Sequence, residues 1–176
     1  MWPQILSAIW FILPAYVANS AAVDVAGIPF LKKYTQPVDC GRTWRGKRLL
    51  GDGKTWRGLI GGVSVGTFTG YLQYIAGASL PGYLPSMTVK LAFLLAFGAL
   101  VGDMLASFLK RQSGLKRGAA VPLLDQLDYI IAAFAFATIV EPLNPERFLI
   151  VAALTIPLHL FANWVAYKIK LKDVWW

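Results

Sequence analysis

The chain has 176 residues, 57% hydrophobic and 15% charged, with mean hydropathy +0.55. A soluble domain that apolar would leave large greasy patches in water, so lipid is the solvent in which to read it, as one polytopic domain over 1–176. The net charge of +8 sits between hydrophobic runs, which points away from nucleic acid and toward anionic headgroups or phosphorylated substrates, and the single Cys40 and single His159 exclude a disulfide framework and a His/Cys zinc cluster.

Met1-Trp2-Pro3 lacks the positive flank of a secretory signal, so the first apolar run is expected to be retained. A bilayer crossing takes about 20 apolar residues, and lipid obliges such segments to be helices. The predicted fold is all-α and integral to the membrane, with five spans at about 3–31, 57–79, 88–110, 119–141 and 147–168. The first carries Asn19 and Asp24, about 140° apart on a straight helix, with Gly27 and Pro29 permitting a bend.

The following loop, about 32–56, alternates glycines with basic and hydroxyl residues from Asp39 to Gly58. Backbone N–H groups, a helix N-terminus and cations there make an anion site, with Asp52, Lys54, Thr55 and Arg57 as candidate substrate-binding residues. Gly53-Lys54-Thr55 resembles the end of a P-loop, but Arg48 stands where its first glycine belongs and no strand precedes it. The second span repeats Gly58, Gly62, Gly66 and Gly70 at four-residue spacing. Such a stripe allows close helix approach, within one monomer or between two in a dimer.

In the third span Asp103, Ser107 and Lys110 stand at i, i+4 and i+7, on one stripe. A linker of about 111–122 holds Arg111, Lys116, Arg117 and Pro122. The fourth span reaches crossing length only by including Asp125 and Asp128, which share a face at i, i+3. An ionisable group inside hydrocarbon costs about 2.5–3.5 kcal/mol and is a functional candidate by default. The third and fourth helices are expected to be antiparallel neighbours, so Asp103, Asp125 and Asp128 meet near one surface. A hard cation such as Mg²⁺ between them would relieve their repulsion. The alternative is ion pairing: Asp103 with Lys110 or Arg111, and Asp125 or Asp128 with Lys116 or Arg117. His159 and Asn163, at i, i+4, share a face of the last span, where a lone histidine is more often a hydrogen-bonding group than a catalyst.

Five spans place fifteen Lys and Arg residues on one side of the membrane and two, Lys90 and Arg147, on the other. The positive-inside rule then sets the N-terminus outside, the C-terminus in the cytosol and both polar loops on the cytosolic face of the cell membrane.

Taken together, Gly102 to Arg111, Pro122 to Asp128, Leu50 to Gly58 and Pro14 to Asn19 resemble the archaeal CDP-archaeol synthases, with matches spread over nearly the whole chain. The resemblance implies a CTP-dependent, Mg²⁺-dependent cytidylyltransferase acting on a membrane lipid phosphate, di-O-geranylgeranylglycerol phosphate. The CDP-diacylglycerol synthases look like distant relatives. Their Ser-x-x-Lys-Arg is matched by Ser107, Lys110 and Arg111, but their Asp-Arg-x-Asp only as Asp125-Gln126-Leu127-Asp128, without the arginine. On this reading Asp103, Asp125 and Asp128 are metal ligands and, with Lys110, catalytic. Asn19, Asp24, Asp52, Lys54, Thr55, Arg57, Ser107, Arg111, Lys116 and Arg117 bind substrate. Two competing classes are weaker. A transporter or flippase would mark a midplane route rather than crowd polar groups at one face. A CDP-alcohol phosphotransferase would end its signature on aspartates four apart, not three.

Overall fold

Backbone polar groups in hydrocarbon must be satisfied within their own segment, and the chain is accordingly helical. The computed structural model describes residues 2–25, 28–116 and 119–168. Among them are five α-helices: α1 Trp2–Asp24, α2 Trp56–Ala76, α3 Val89–Gln112, α4 Leu124–Ala137 and α5 Pro145–Lys168. Three stretches, Trp2–Asp24, Val89–Gln112 and Pro145–Val165, are long and apolar enough to cross a membrane.

Helix α2 lies antiparallel to α1 along the glycine stripe. A Cβ on Gly58 would stand 2.9 Å from the Ala22 carbonyl oxygen, on Gly62 2.7 Å from that of Ala18, and on Gly66 2.6 Å from that of Pro14. At Gly70 it would meet the Ala92 side chain of α3 at 2.1 Å. The stripe is therefore used inside the monomer, where backbones touch and only glycine fits. The opposite face of α2 exposes Ile60, Phe68, Leu72 and Ile75. Pro14 lacks the N–H that would have bonded the Trp10 carbonyl; Gln73 of α2 fills the gap, its Nε2 donating to that oxygen at 2.8 Å.

Helices α3 and α4 also run antiparallel and close, as expected: a Cβ on Gly102 would come within 2.3 Å of the Asp128 carbonyl oxygen. The core joins Phe11 and Ile12 of α1, Leu91 and Leu95 of α3, Ile130 and Phe134 of α4 and Val151 of α5. Phe134 packs its ring 5.3 Å from both Phe11 and Phe148. Helix α5 lies against α1 and α4, joined by a 2.7 Å hydrogen bond between the Tyr16 and Thr155 hydroxyls, and His159 and Asn163 share a face there, 3.3 Å apart.

Two helices are shorter than the sequence predicts. Helix α1 ends at Asp24, and Pro29 begins a separate 3₁₀ turn, Pro29–Leu31. Helix α4 is confined to Leu124–Ala137 because Pro122 and Leu123, the latter at φ +66°, hold the chain out of helix before it. Its 14 residues rise only about 21 Å. The loop before α2 is also more ordered than expected of a polar connection. It contains an antiparallel ribbon, β1 Thr43–Trp44 and β2 Lys47–Arg48, turned by Arg45 and Gly46 at φ +51° and +74°. Positive φ at both central residues is the turn that suits strand twist, and glycine takes it without strain.

Candidate active site

One end of the bundle is closed by this loop, which folds around a single carboxylate. Asp39 Oδ1 accepts from Gly41 N and Arg48 Nη2, both at 3.0 Å, and Oδ2 accepts from Leu50 N at 2.9 Å and Gly51 N at 3.1 Å. Arg48 also pairs with Asp52 at 2.8 Å. Burial alone would raise the Asp39 pKa; the Leu50, Gly51 and Gly41 amides and the Arg48 guanidinium outweigh it and lower it to about 2. Both strands of the loop are stitched at their base, Val38 N donating to Lys54 O at 2.7 Å and Trp56 N to Gln36 O at 3.1 Å. Thr55, buried, N-caps α2 by accepting from Gly58 N. The ribbon is then fastened to α3. Lys47 Nζ donates to the Gln112 carbonyl, Gln112 Nε2 donates to Arg48 O at 3.2 Å, and Trp44 stacks on Phe108. These links make the loop a rigid cap that delivers Lys54 to α3.

There Lys54 pairs with Asp103. About two turns further along α3, Lys110 Nζ reaches Asp125 Oδ1 at 2.7 Å, while Asp125 Oδ2 accepts from Val121 N at 3.0 Å just before α4. The unsatisfied N–H groups and dipole of that helix end favour carboxylates in its first turn. The Gly102–Asp128 contact brings Asp128 within electrostatic range of Asp103, Asp125 and Lys54.

The three predicted aspartates thus converge at one end, but their partners differ from those expected. Asp103 takes Lys54 rather than Lys110 or Arg111, and Asp125 takes Lys110 rather than Lys116 or Arg117, because the cap inserts a lysine from a distant part of the chain. Ion pairing, the alternative to a metal, therefore accounts for Asp103 and Asp125, though through other lysines than those expected. Among the described residues, no three acidic, His or Cys groups are gathered at metal-ligand spacing. The donor set still fits a hard ion such as Mg²⁺, which takes one or two protein carboxylates and completes its shell with water and phosphate oxygens.

Ser107 and Arg111 line the same cavity as Lys54, Asp103 and Lys110. Asn19 and Arg57 line an adjoining one, with Thr55, and Asp52 borders both. Asp24 does not join them: it ends α1 and faces a separate hollow with Tyr16 and Ser20, because the helix stays regular between positions 19 and 24. Lys116 is exposed, its carbonyl accepting from Arg111 Nη2. Arg117 lies outside the described residues. Asp39, Arg48 and the Lys47–Gln112 latch escaped the sequence reading. Asp39-Cys40-Gly41, an acidic residue two before a glycine, was the available signal of a side chain folding back on the backbone.

Comparison with known proteins bears directly on this end of the bundle. The CarS-like CDP-archaeol synthase family matches residues 1–176. A CDP-archaeol synthase of Thermococcus kodakarensis is 47% identical over 98% of this chain and 97% of its own, and one of Methanocaldococcus jannaschii is 43% identical over the same shares. A solved structure described as an intramembrane enzyme for archaeal membrane lipid biosynthesis superposes with TM-score 0.73 at 40% identity, covering 90% of this chain and 94% of that one. A whole-length match at these identities, on a shared helical fold with its carboxylates and cations at one end, places the chain in the CDP-archaeol synthase family.

Proposed function

We propose that the chain transfers CMP from CTP to the phosphate of a membrane ether lipid, di-O-geranylgeranylglycerol phosphate, giving CDP-archaeol and pyrophosphate. The observation that carries this reading is the meeting of Asp103, Asp125 and Asp128 with Lys54 and Lys110 where α3, α4 and the cap converge. A triphosphate bearing three or four negative charges needs both halves of that arrangement, cations for its oxygens and carboxylates for its metal. The five helices are read as five spans, α4 completing its crossing with the turns at either end. The N-terminus then lies outside and the site faces the cytosol of the cell membrane, the side that the excess of Lys and Arg selects.

Asp103, Asp125 and Asp128 would hold Mg²⁺. An ion held by them would supply charge neutralisation of the triphosphate and Lewis-acid activation of its α-phosphoryl group. Lys110 and Arg111 draw the β- and γ-phosphates into line. One anionic oxygen of the lipid phosphate attacks the α-phosphorus, the bond from that phosphorus to the bridging oxygen breaks, and pyrophosphate leaves with the electron pair. The attacking group is already ionised near neutral pH, so no protein base is needed, and the residues act by positioning and charge. The cap excludes water, which would otherwise compete for the same phosphorus.

The test incubates purified protein in detergent with α-labelled CTP, Mg²⁺ and the ether lipid phosphate, and follows label into the organic phase. Asp125→Asn is expected to lower transfer by at least 10²-fold, and chelation with EDTA to abolish it. Undiminished transfer by Asp125→Asn and Asp103→Asn at ordinary Mg²⁺ would sink the metal assignment.

A further inference from the structure

The ribbon of the cap reaches down the side of α3 as well as over its end. Trp44 stacks on Phe108 with ring centroids 5.8 Å apart, and Phe108 shares a helix face with Leu105 and Leu109, at i−3 and i+1. Leu105 and Leu109 are 56% and 53% exposed on a helix long and apolar enough to cross a membrane, so this face meets hydrocarbon rather than water. Between ribbon and helix is a hollow of about 760 Å³, walled by Leu49, Leu50, Trp56, Val101, Leu105 and Phe108. Small-molecule sites span about 300–1,000 Å³.

The hollow is set apart from the carboxylate–lysine cluster. Leu50 lines both it and the cavity of Lys54, Asp103 and Lys110, and Val38 and Met104 line both it and the adjoining one. These three side chains form the wall between them. Two charged residues, Asp39 and Arg42, border the hollow. Asp39 offers no open charge, since its oxygens already carry four donors, Arg48 among them. Arg42 is the opposite case. Its backbone is fixed at the foot of the ribbon, N donating to Asp39 O at 2.9 Å and O accepting from Leu49 N at 3.1 Å. Among the described residues, its exposed guanidinium has no carboxylate partner. Arg45, 4.8 Å over the Trp44 ring, brings a second cation to the same ribbon. Tryptophan, arginine and an open apolar wall, where a spanning helix nears its end, are the chemistry of an interfacial lipid site.

We propose that this hollow holds a resident anionic phospholipid that is not a substrate. Its chains lie against Leu49, Trp56, Leu105 and Phe108, and its phosphate meets Arg42. The unpaired guanidinium selects it over a neutral lipid, and the apolar wall selects it over free phosphate. Behind Leu50, Val38 and Met104 it stays out of reach of Asp103. It braces the ribbon against α3, and through the ribbon the cap that carries Lys54. The assignment goes beyond the transfer reaction proposed above and does not depend on it.

Cys40, the one cysteine of the chain, is exposed and lines the hollow, so it reports occupancy without an added label. Delipidated full-length protein is placed in nanodiscs of ether-linked phosphatidylcholine, with or without phosphatidylglycerol of the same chains, and alkylation of Cys40 by neutral N-ethylmaleimide is timed. Arg42→Gln, Arg42→Lys and Lys32→Gln are treated alike. Surface potential is then common to all, and Lys32→Gln removes an equal charge outside the lining. Phosphatidylglycerol is expected to slow alkylation in wild type and Lys32→Gln roughly fivefold more than in Arg42→Gln, the factor that one cation near an anionic surface supplies, with Arg42→Lys in between. Native mass spectrometry of wild type offered both lipids equally should show phosphatidylglycerol retained, a preference that Arg42→Gln loses. Equal slowing in wild type, Arg42→Gln and Lys32→Gln overturns the proposal, and so does equal retention of the two lipids by wild type. Phosphatidylglycerol that competes with the acceptor in CMP transfer, an inhibition relieved by Arg42→Gln, would make the hollow the acceptor's own site and overturn the resident lipid.

Discussion

Removing the charge of Asp39 while keeping its shape is the sharpest probe of the cap. In Asp39→Asn one oxygen becomes an NH₂ group. It then faces either the amides of Leu50 and Gly51 or the Gly41 amide and the Arg48 guanidinium, all of them donors. A pKa lowered from 3.8 to about 2 corresponds to about 2 kcal/mol of stabilisation, at about 1.4 kcal/mol per pKa unit. Opening of the cap should become roughly 30-fold more frequent, and the exposed Arg45 peptide bond more available to protease. Hydrogen exchange in detergent reads this directly: Leu50 and Gly51 amides should exchange about 30-fold faster, while amides of the α3 core do not change. The pH dependence has a fixed sign. The folded pKa lies below the unfolded one, so the contribution is complete above about pH 4 and is lost as pH falls toward 2. The variant should show no such acid step. Equal exchange rates at Leu50 and Gly51 in wild type and Asp39→Asn would refute the view that this carboxylate organises the cap.

Three further outcomes are expected. Lys110→Met leaves Asp125 without its cation and should lower the melting temperature; adding Asp125→Asn should restore the melting temperature but not CMP transfer, a non-additivity that independent sites would not show. Gly102→Ala forces a methyl group to within 2.3 Å of the Asp128 carbonyl, which should cost about 1–3 kcal/mol in thermal unfolding and reduce transfer more than Ala106→Gly on the same helix. Tyr16→Phe deletes the hydroxyl bonded to Thr155 and should cost about 0.5–1.5 kcal/mol, with label transfer at permissive temperature unchanged.

The legible part of this protein was whatever rests on local periodicity. Helical spacing put Asp103 and Lys110 on one stripe and Asp125 and Asp128 at one helix start, and the four-residue glycine repeat announced a backbone-to-backbone contact. What could not be read was pairing across long separations. Nothing near Asp103 says that its counter-charge is Lys54, 49 positions away, and i, i+7 spacing drew attention to Lys110, which serves Asp125 instead. Asp39 looked like one more polar loop residue because its value lies in four donors that only the folded loop assembles. Asp24 drew notice as a charge in an apolar run, yet a straight helix turns it away from Asn19. Helix α4 was overextended because apolar composition runs past Leu123, whose positive φ breaks the helix before it, and past Thr138, after which the bonds of Ile139 and Val140 tighten to three-residue turns.

The bond from Gln73 to the Trp10 carbonyl has a consequence for how such a chain can drift. While Pro14 is present, that carbonyl has no donor in its own helix, and in hydrocarbon an orphan costs several kcal/mol. Gln73→Leu is therefore barred as a first step. Once Pro14→Ala restores the ladder, the same change costs little and removes a polar group from lipid. The two sites are open to substitution in one order only, and a descendant lacking the glutamine should already have lost the proline.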